Sequence, residues 1–470
     1  MKSVATFYVE NFGCRATQAD GAAIERQFRQ HGLHPAVSPA AATIVVLNSC
    51  TVTAAADQDA RAAIRRIRRQ NPGCEIVVTG CYAQRVPEEV AALPGVSRVI
   101  GNSHKHRLAE IVTGPHAAAI SLPRMPGPDV RETRPPTDFT VPLSTLTEGR
   151  AADGRSPIFV SDIFAHTELL AAPVLDAAGQ RTRPNLKIQD GCDNRCSFCV
   201  IPSVRGHSRS LSLERVLREV NALVDSGYRE VVISGINLGR WGRDLLAPVK
   251  FESLVRSILL QTSLQKLRIS SVEPMDWSDE LIRLMAESPR IARHAHVPLQ
   301  SGNDAVLRRM HRKYRPWHYR EKIEKIHAAM PMAAIGADVM VGFPGESEPE
   351  FEETRRMIEE LPFTYLHVFT YSPRPGTPAA RLPDQVPVRV ARDRNRVLRE
   401  LAAQKNLAFL RRMVGQTVDA ITLNASCNQS TEALTDNYLK LRLTGRLEPS
   451  RWIKARIEQA QEGMLLGCAA

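Results

Sequence analysis

Three cysteines lie close together near the middle of the 470-residue chain, within the sequence GCDNRCSFC. Cys192, Cys196 and Cys199 form a C-x3-C-x2-C triplet directly after a strand predicted at Leu186–Gln189. Three thiolates on one loop can converge on one metal centre. Because a [4Fe–4S] cluster needs four ligands, three cysteines leave one iron open to bind the amine and carboxylate of a cofactor. The triplet therefore predicts an open iron–sulfur cluster.

Two other interpretations of this triplet stay open. A structural zinc site normally closes four ligands, and His207 offers a fourth ligand at C-x7-H, which is not a usual zinc spacing. The three cysteines could also be neighbours with no metal between them.

Three more cysteines share one position relative to the predicted strands. Cys14, Cys50 and Cys81 each come just beyond the carboxyl end of an apolar strand. In a parallel sheet those ends lie along one edge, where α/β proteins bind ligands. Their separations of 36 and 31 residues each match one βαβ step, about 30 residues. The three thiols are expected to meet at that edge, either as a metal site or as packed or redox-active cysteines. Cys74 precedes its strand and is expected at the opposite edge.

Strands and helices alternate along the first part of the chain, which predicts a parallel α/β domain. The alternation resumes with six longer βα units between Arg183 and Tyr371, which indicates a partial (βα)6 barrel. A basic helix is predicted at Arg389–Arg412, and the short β runs of Val414–Cys468 are typical of a small OB-like β-barrel. The predicted strands are Thr6–Glu10, Thr43–Asn48, Glu75–Thr79, Val96–Ile100, Leu186–Gln189, Glu230–Ser234, Lys266–Ser270, Ala295–Pro298, Ile335–Val341 and Tyr365–Tyr371.

These patterns divide the chain into four predicted segments. Residues 1–113 form the N-terminal α/β domain, and residues 114–182 form a linker or insertion whose first part is rich in proline and charge. Residues 183–413 form the partial barrel with its basic helix, and residues 414–470 form the small β-barrel.

The composition restricts the partners and the compartment. The formal net charge is +12 at pH 7, which favours a polyanionic partner such as RNA. Aromatic residues are only 5%, so single-strand binding mainly by base stacking is not expected. Since the sequence has no stretch of about 20 apolar residues and no secretory signal, we expect no membrane segment and a cytoplasmic location. Cysteines there stay mostly reduced, which favours metal binding over disulfides.

The cysteine triplet resembles the signature of the radical S-adenosylmethionine (SAM) enzymes, in which an aromatic residue occupies the place of Phe198. The position after the first barrel strand fits as well. The resemblance implies that SAM binds the open iron of a [4Fe–4S] cluster and is cleaved reductively to a 5′-deoxyadenosyl radical. That step requires a low-potential electron donor of the flavodoxin or ferredoxin type.

The order of the two cysteine sets further resembles the radical-SAM methylthiotransferases, which carry an N-terminal cluster domain, a radical-SAM barrel and a TRAM β-barrel. The resemblance implies that Cys14, Cys50 and Cys81 hold an auxiliary [4Fe–4S] cluster that carries or donates sulfur. It also implies that a second SAM supplies the methyl group, so that a C–H position becomes C–S–CH3. The matching words are NFGCRATQAD, NSCTVTAAAD, GCYAQR, IQDGCDNRCSFCVIPSVRGHSRS, SSVEP, HVPLQSGND, GADVMVGFPGE and HVFTYSPRPGTPAAR.

Three branches of that family differ in substrate. The words NSCTVT, IQDGC and HVFTYSPRPGTPAAR are most similar to the branch that modifies threonylcarbamoyl-adenosine on the 3′ side of the tRNA anticodon. A second branch acts on isopentenyl-adenosine tRNA, and a third on an aspartate of a small-subunit ribosomal protein. A non-catalytic RNA-binding protein with structural clusters is the alternative from another class.

Five further residues have both a functional and a structural interpretation. Gly235 and Glu273 follow barrel strands and are expected to contribute to the SAM pocket; the alternatives are a loop glycine with positive φ and a loop carboxylate in an ion pair. His296 either faces the barrel interior or is a satisfied core histidine, and the second interpretation is preferred. Arg205 and Arg209 either reach phosphate or carboxylate groups of substrate or SAM, or form structural ion pairs.

Overall fold

The computed structural model describes residues 5–114, 156–170, 173–174, 182–427 and 430–470. Most of the predicted linker therefore lies outside the described residues. The chain forms two compact units. Unit 1 comprises Met1–Thr51, Ala55–Leu170 and Ser203–Gly206, and unit 2 comprises Val52–Ala54, Ala171–Pro202 and His207–Ala470.

Unit 1 is built on a six-stranded sheet in the order β2-β1-β3-β4-β5-β6, in which every pair is parallel. The predicted parallel α/β domain is thus confirmed. The elements are β1 Thr6–Asn11, α1 Arg15–Gln30, β2 His34–Pro35, β3 Ile44–Ser49, α2 Ala54–Gln70, β4 Glu75–Gly80, α3 Cys81–Arg85, α4 Pro87–Ala91, β5 Arg98–Gly101, α5 Leu108–Thr113 and β6 Ile158–Phe159.

Alternate residues of the central strands pack on opposite faces of this sheet. Val45 and Leu47 of β3 belong to one buried cluster, whereas Val46 belongs to another that contains Ile24 and Phe28 of α1. Because both faces are covered by helices, the strand reads as a continuous apolar run rather than an alternating one.

Unit 2 contains six main parallel strands with helices between them, as the partial (βα)6 barrel requires, and the two-residue strands β7 and β9 pair antiparallel with the first of the six, β8. Strands β8, β10 and β11 form one parallel set, β12, β13 and β14 form another, and isolated bridges join β11 to β12. The elements are β7 Pro173–Val174, β8 Asn185–Asp190, α6 Ile201–Arg205 (whose last residues count with unit 1), β9 Arg209–Ser210, α7 Leu213–Asp225, β10 Glu230–Gly235, α8 Phe251–Gln261, β11 Lys266–Ile269, α9 Asp279–Glu287, β12 His294–His296, α10 Asp304–Arg309, α11 Pro316–Ala329, β13 Ala334–Val341, α12 Glu348–Glu360 and β14 Tyr365–Thr370.

The last part of unit 2 is a long helix followed by a closed five-stranded barrel in the order β15-β16-β17-β19-β18. The predicted small β-barrel is confirmed. A cluster of buried apolar side chains, including Leu441 and Leu443, fills it. The elements are α13 Val388–Met413, β15 Thr417–Cys427, β16 Ser430–Thr435, β17 Lys440–Thr444, β18 Trp452–Gln461 and β19 Met464–Ala469.

The small barrel packs against the amino ends of the strands of the partial barrel. Arg268, in β11, donates hydrogen bonds to the main-chain oxygens of Asp436 (3.0 Å) and Thr435 (3.4 Å). Asn437 donates to the carbonyl of Met332, just before β13, at 2.9 Å. These contacts are all at the amino ends of the strands, opposite the loops that follow the strands.

In the part of the chain that the structure describes, no helix is both long enough and apolar enough to cross a membrane.

Candidate metal centres

Cys14, Cys50 and Cys81 lie just after three neighbouring strands of the unit 1 sheet. The strands β1, β3 and β4 are adjacent and parallel. Cys14 and Cys50 lie between their strand and the following helix, and Cys81 is the first residue of α3, directly after β4. Because neighbouring strands are about 4.8 Å apart, this arrangement brings the three residues to one edge of the sheet. Cys14 is exposed, whereas Cys50 and Cys81 are buried. Cys74 precedes β4 and lies at the other edge.

Two glycines allow the cysteine loops to approach each other closely. Gly13 has φ +107°, and a Cβ there would lie 2.5 Å from Cβ of Cys50. Gly80 has φ +99°, and a Cβ there would lie 2.2 Å from the main-chain oxygen of Ser49. Since any other residue would be strained in this conformation and would collide, the glycines that precede Cys14 and Cys81 set how near the three thiols can come.

A polar side chain from the next strand reaches this edge. Asn102 follows β5, and its Nδ2 lies 3.6 Å from Sγ of Cys81 and donates a hydrogen bond to the Val204 carbonyl at 2.7 Å. Sequence reasoning missed Asn102, although it occupies the same position after its strand as the cysteines do. An amide N–H beside a cysteine sulfur stabilises the thiolate that a metal requires.

A buried charge network lies in the same unit. Nζ of Lys105 and Nη2 of Arg205 are each 3.0 Å from Oδ2 of Asp20, and all three side chains are at most 4% exposed. Burial lowers the pKa of the Lys105 amine, and Asp20 opposes that effect. Arg205 thus forms a structural ion pair, the second of the two interpretations given above.

Cys192, Cys196 and Cys199 lie on the loop that follows β8, at the carboxyl end of the barrel strands. The loop is fixed by Ser197, whose main-chain N–H donates to the Met310 carbonyl at 3.1 Å and whose hydroxyl donates to the Arg309 carbonyl at 2.7 Å. These bonds hold the loop rigidly before any cofactor binds.

Each sulfur of this triplet has an N–H donor beside it. The Asn194 and Ile201 main-chain N–H groups lie 3.4 Å from the sulfurs of Cys192 and Cys199, respectively. Nη1 of Arg312 lies 3.2 Å from Sγ of Cys196. Hydrogen bonds to cluster sulfurs tune the reduction potential of iron–sulfur centres. The donor set therefore fits three iron-bound thiolates.

Burial also affects these thiols. It raises the pKa of Cys199 to about 12 and raises that of Cys192. Both groups are therefore protonated at neutral pH in the metal-free protein, so metal binding must release protons.

The residues predicted to line the SAM pocket lie on this loop (Phe198) or just after other strands of the partial barrel (Gly235 and Glu273). Phe198 packs edge-on against Phe343, with ring centroids 6.5 Å apart. A Cβ on Gly235 would lie 2.8 Å from Oε1 of Gln189, so close packing rather than a positive φ explains this glycine. Glu273 forms an ion pair with Arg312.

Other predicted residues have exposed or barrel-facing positions. His207 lies 2.7 Å from Oδ1 of Asp193, and both side chains are more than half exposed. His296 is buried, and its Nδ1 lies 2.7 Å from Oγ of Ser271. Its ring also belongs to a group with Asp338 and His367 in which one ligand atom from each residue lies within 4.8 Å of the others. This trio, which sequence reasoning missed, has the composition of a metal-ligand set.

The contacts of Asn237 and Arg312 with cysteine sulfurs were not predicted; the sequence pattern indicated Arg312 only as part of a basic patch that could contact RNA. Asn237 lies two residues after Gly235, and its Nδ2 is 3.7 Å from Sγ of Cys192. Its position after a barrel strand is a signal that could have identified it. Arg312 follows a helix, so the strand-end rule gives no such signal.

Each of the two units contains a match to a known family. Residues 186–358 match the family described as Radical SAM superfamily, and residues 6–101 match the uncharacterized protein family UPF0004. A structure of the radical SAM methyltransferase TsrM from Kitasatospora setae, with cobalamin and a [4Fe-4S] cluster bound, aligns with a TM-score of 0.56 at 14% identity, covering 81% of this chain and 77% of that one. This likeness concerns the fold.

Curated relatives match over nearly the whole chain. The threonylcarbamoyladenosine tRNA methylthiotransferase MtaB of Bacillus subtilis is 36% identical over 94% of this chain and 91% of its own, and that of Aquifex aeolicus is 33% identical over 95% and 99%. The tRNA-2-methylthio-N(6)-dimethylallyladenosine synthase of Syntrophobacter fumaroxidans is 31% identical over 98% and 95%. The chain therefore belongs to the radical-SAM methylthiotransferase family, in its MtaB branch.

Proposed function

We propose that this enzyme methylthiolates the C2 carbon of threonylcarbamoyladenosine on the 3′ side of the anticodon of tRNA. The observation that carries the proposal is the similarity to MtaB relatives, which extends across 94% of this chain and includes both units. The reaction replaces one aromatic C–H bond with C–S–CH3. The net charge of +12 suits a polyanionic substrate, and tRNA places the reaction in the cytoplasm.

The cysteine triplet is proposed to hold the [4Fe–4S] cluster that binds SAM, through Cys192, Cys196 and Cys199. When bound, the cluster and SAM supply the 5′-deoxyadenosyl radical, using one electron from a low-potential donor of the flavodoxin or ferredoxin type. The residues of the chain keep the loop rigid and place N–H donors on each sulfur. Phe198, Gly235 and Glu273 are proposed to line the adjacent SAM pocket.

Cys14, Cys50 and Cys81 are proposed to hold a second [4Fe–4S] cluster, which presents sulfur for transfer. Two features support this proposal. The three residues follow adjacent parallel strands, and the preceding glycines allow contacts that a side chain would block. Asn102 adds an N–H donor 3.6 Å from one of the sulfurs. A cluster held by these residues would supply the sulfur source, separate from the SAM-binding cluster, that the chemistry needs.

The decisive experiment is nucleoside mass spectrometry of tRNA from a strain that lacks this gene and any paralogue. Loss of 2-methylthio-threonylcarbamoyladenosine, restored by the wild-type gene but not by a Cys192→Ala gene, is expected. Unchanged amounts of that nucleoside would refute the proposal. Loss of 2-methylthio-dimethylallyladenosine instead would assign the substrate named for the Syntrophobacter relative.

A second measurement separates catalysis from RNA binding alone. The anaerobically reconstituted protein, given dithionite and SAM, is expected to release 5′-deoxyadenosine. A protein with purely structural clusters would release none.

A further inference from the structure

The inner face of the strands β12, β13 and β14 carries a row of rings. Side chains alternate across a strand, and the other face is packed by apolar residues such as Ala337 and Val339, which are fully buried. Tyr365, His367 and Phe369 follow each other at every second position of β14 on the inner face, and consecutive ring centroids are 5.4 and 6.5 Å apart. We call these three residues the ring ladder.

One end of the ring ladder is closed. A Cβ on Gly336 would lie 2.0 Å from Cζ of Tyr365, so the tyrosine ring lies directly over bare backbone. Its hydroxyl is 2.6 Å from Nε2 of His294, and the ring of Tyr438, from the small barrel, lies 6.4 Å away. This end is therefore packed against the small barrel, at the amino ends of the strands.

The other end of the ring ladder is open, although it belongs to the interior face of a barrel. Phe369 is 47% exposed, and the side chain of His367 is 56% exposed. The open end of the ring ladder lies toward the carboxyl ends of the strands. The cysteine triplet and Glu273 also come just after the carboxyl ends of their strands. Rings on an inward face with this exposure are available to a planar group that enters from that side.

A fixed hydrogen-bond acceptor lies beside the open rings. Oδ1 of Asp338 is 3.2 Å from Nδ1 of His367 and 3.4 Å from Nε2 of His296. The His367 contact orients the carboxylate, and about a quarter of the Asp338 side chain (26%) is exposed. It can accept an N–H from a bound ring.

We propose that the ring ladder, with Asp338 beside it, is the binding site for the purine ring of the target nucleotide, which stacks on Phe369 inside the barrel while the His367 ring, inclined at 71° to that of Phe369, contacts it edge-on. The inference rests on the proposed function and specifies where its substrate base is held. It requires the nucleotide to leave the stacked anticodon loop and enter the barrel. Stacking on side-chain rings tolerates a substituted purine because it uses the face of the ring, and it leaves the edge of the ring free for reaction.

The test uses an anticodon stem-loop RNA with 2-aminopurine at the position 3′ of the anticodon and a fluorescent label at its 5′ end. In the complex with the full-length reconstituted protein the 2-aminopurine fluorescence is expected to stay quenched, because stacking on Phe369 replaces the stacking that the base loses when it leaves the anticodon loop. Phe369→Ala and His367→Ala should abolish most of this quenching and raise the KM for a methylthiolation substrate about tenfold, as loss of one base–ring stack predicts. Phe369→Trp should restore both.

One control variant and two contrary results distinguish the ring-ladder proposal from the proposed function. Trp317→Ala, which removes a 56%-exposed ring on α11, is the matched control and should quench like wild type. If the wild-type enzyme makes product but the Phe369 and His367 variants show unchanged quenching and KM, the ring-ladder proposal is overturned while the proposed function stands. If the wild-type protein binds the RNA by anisotropy but forms no methylthio product on threonylcarbamoyl-adenosine RNA, the proposed function itself fails.

Discussion

Nη1 of Arg312 lies 3.2 Å from the sulfur of Cys196, and Nη2 of the same guanidinium pairs with Glu273. Arg312, whose side chain is only 6% exposed, is therefore a buried cation that links Cys196, which follows β8, to the carboxylate of Glu273, which follows β11. Neither lysine nor a neutral residue can reproduce both contacts, because only the planar guanidinium presents donors in two directions.

Replacing this cation should impair SAM cleavage. Arg312→Met removes a charged hydrogen bond, which contributes about 1.5–3 kcal/mol, so the rate of 5′-deoxyadenosine release should fall about tenfold or more. The potential of the SAM-binding cluster should become more negative, because a positive charge near the reduced cluster is lost; an EPR-monitored redox titration measures it. Arg308→Met is the control, since its pair with Asp304 is exposed and such pairs contribute at most about 1 kcal/mol. Equal rates for the two variants would contradict the role of Arg312.

Each of the two cysteine sets should account for about half of the bound iron. Replacing Cys14, Cys50 and Cys81 together by alanine should lower bound iron from about eight to about four atoms per chain, because one cluster is lost. Dithionite-driven SAM cleavage should persist, while methylthiolated product disappears. Iron analysis and product mass spectrometry measure both. Cys74→Ala, at the opposite sheet edge, should keep the wild-type iron content. A triple variant that retains all its iron would disprove the second cluster.

The buried charges of unit 1 should control its stability. Asp20→Asn leaves Lys105 and Arg205 without their shared carboxylate, and breaking a buried pair costs about 3–5 kcal/mol. Calorimetry should therefore show a lower Tm. Arg205→Met, which leaves the Lys105–Asp20 pair in place, should cost less. If Arg205 instead contacted RNA phosphate, Arg205→Met would leave Tm unchanged and lower the salt dependence of RNA binding by about one ion.

His106 should make unit 1 less stable in mild acid. Burial lowers the pKa of His106 below its usual 6.5, so the unfolded chain takes up the proton at a higher pH than the folded chain. The contribution of the neutral His106 side chain to the free energy of unfolding is then fully present above about pH 6.5 and is lost as the pH drops below that value. The Tm difference between wild type and His106→Gln should therefore shrink or reverse from pH 8 to pH 5.5. Parallel Tm curves would show that His106 does not contribute.

The sequence predicted the elements that carry long apolar patterns. The strand at Glu230–Ser234 corresponds to β10 and the basic helix at Arg389–Arg412 to α13, because a continuous apolar run and a long helical segment both give a clear signal. The two-residue strands β2 and β6 were missed, since two residues cannot show a pattern. The strand-end rule placed all six cysteines, because parallel topology fixes which ends of the strands share an edge.

Contacts between residues distant in sequence were not predictable. Arg312 reaches Cys196 across 116 residues, and Arg205 reaches Asp20 across 185 residues. Such pairs depend on how loops fold in three dimensions, and single residues carry no periodic signal. The ring ladder could be predicted only in part. The alternation of Tyr365, His367 and Phe369 is visible in the sequence, but only the pairing of β13 with β14 shows that Asp338 lies beside these rings.

The placement of the small barrel has a consequence for the size of the substrate. It contacts the amino ends of the strands, whereas the cysteine triplet follows a carboxyl end. The strand β13 has eight residues, and at about 3.3 Å per residue its two ends are roughly 25 Å apart. A free nucleoside is too short to touch both places at once. A substrate that contacted both the small barrel and the loop of the cysteine triplet would have to extend over at least that distance, as a folded RNA does.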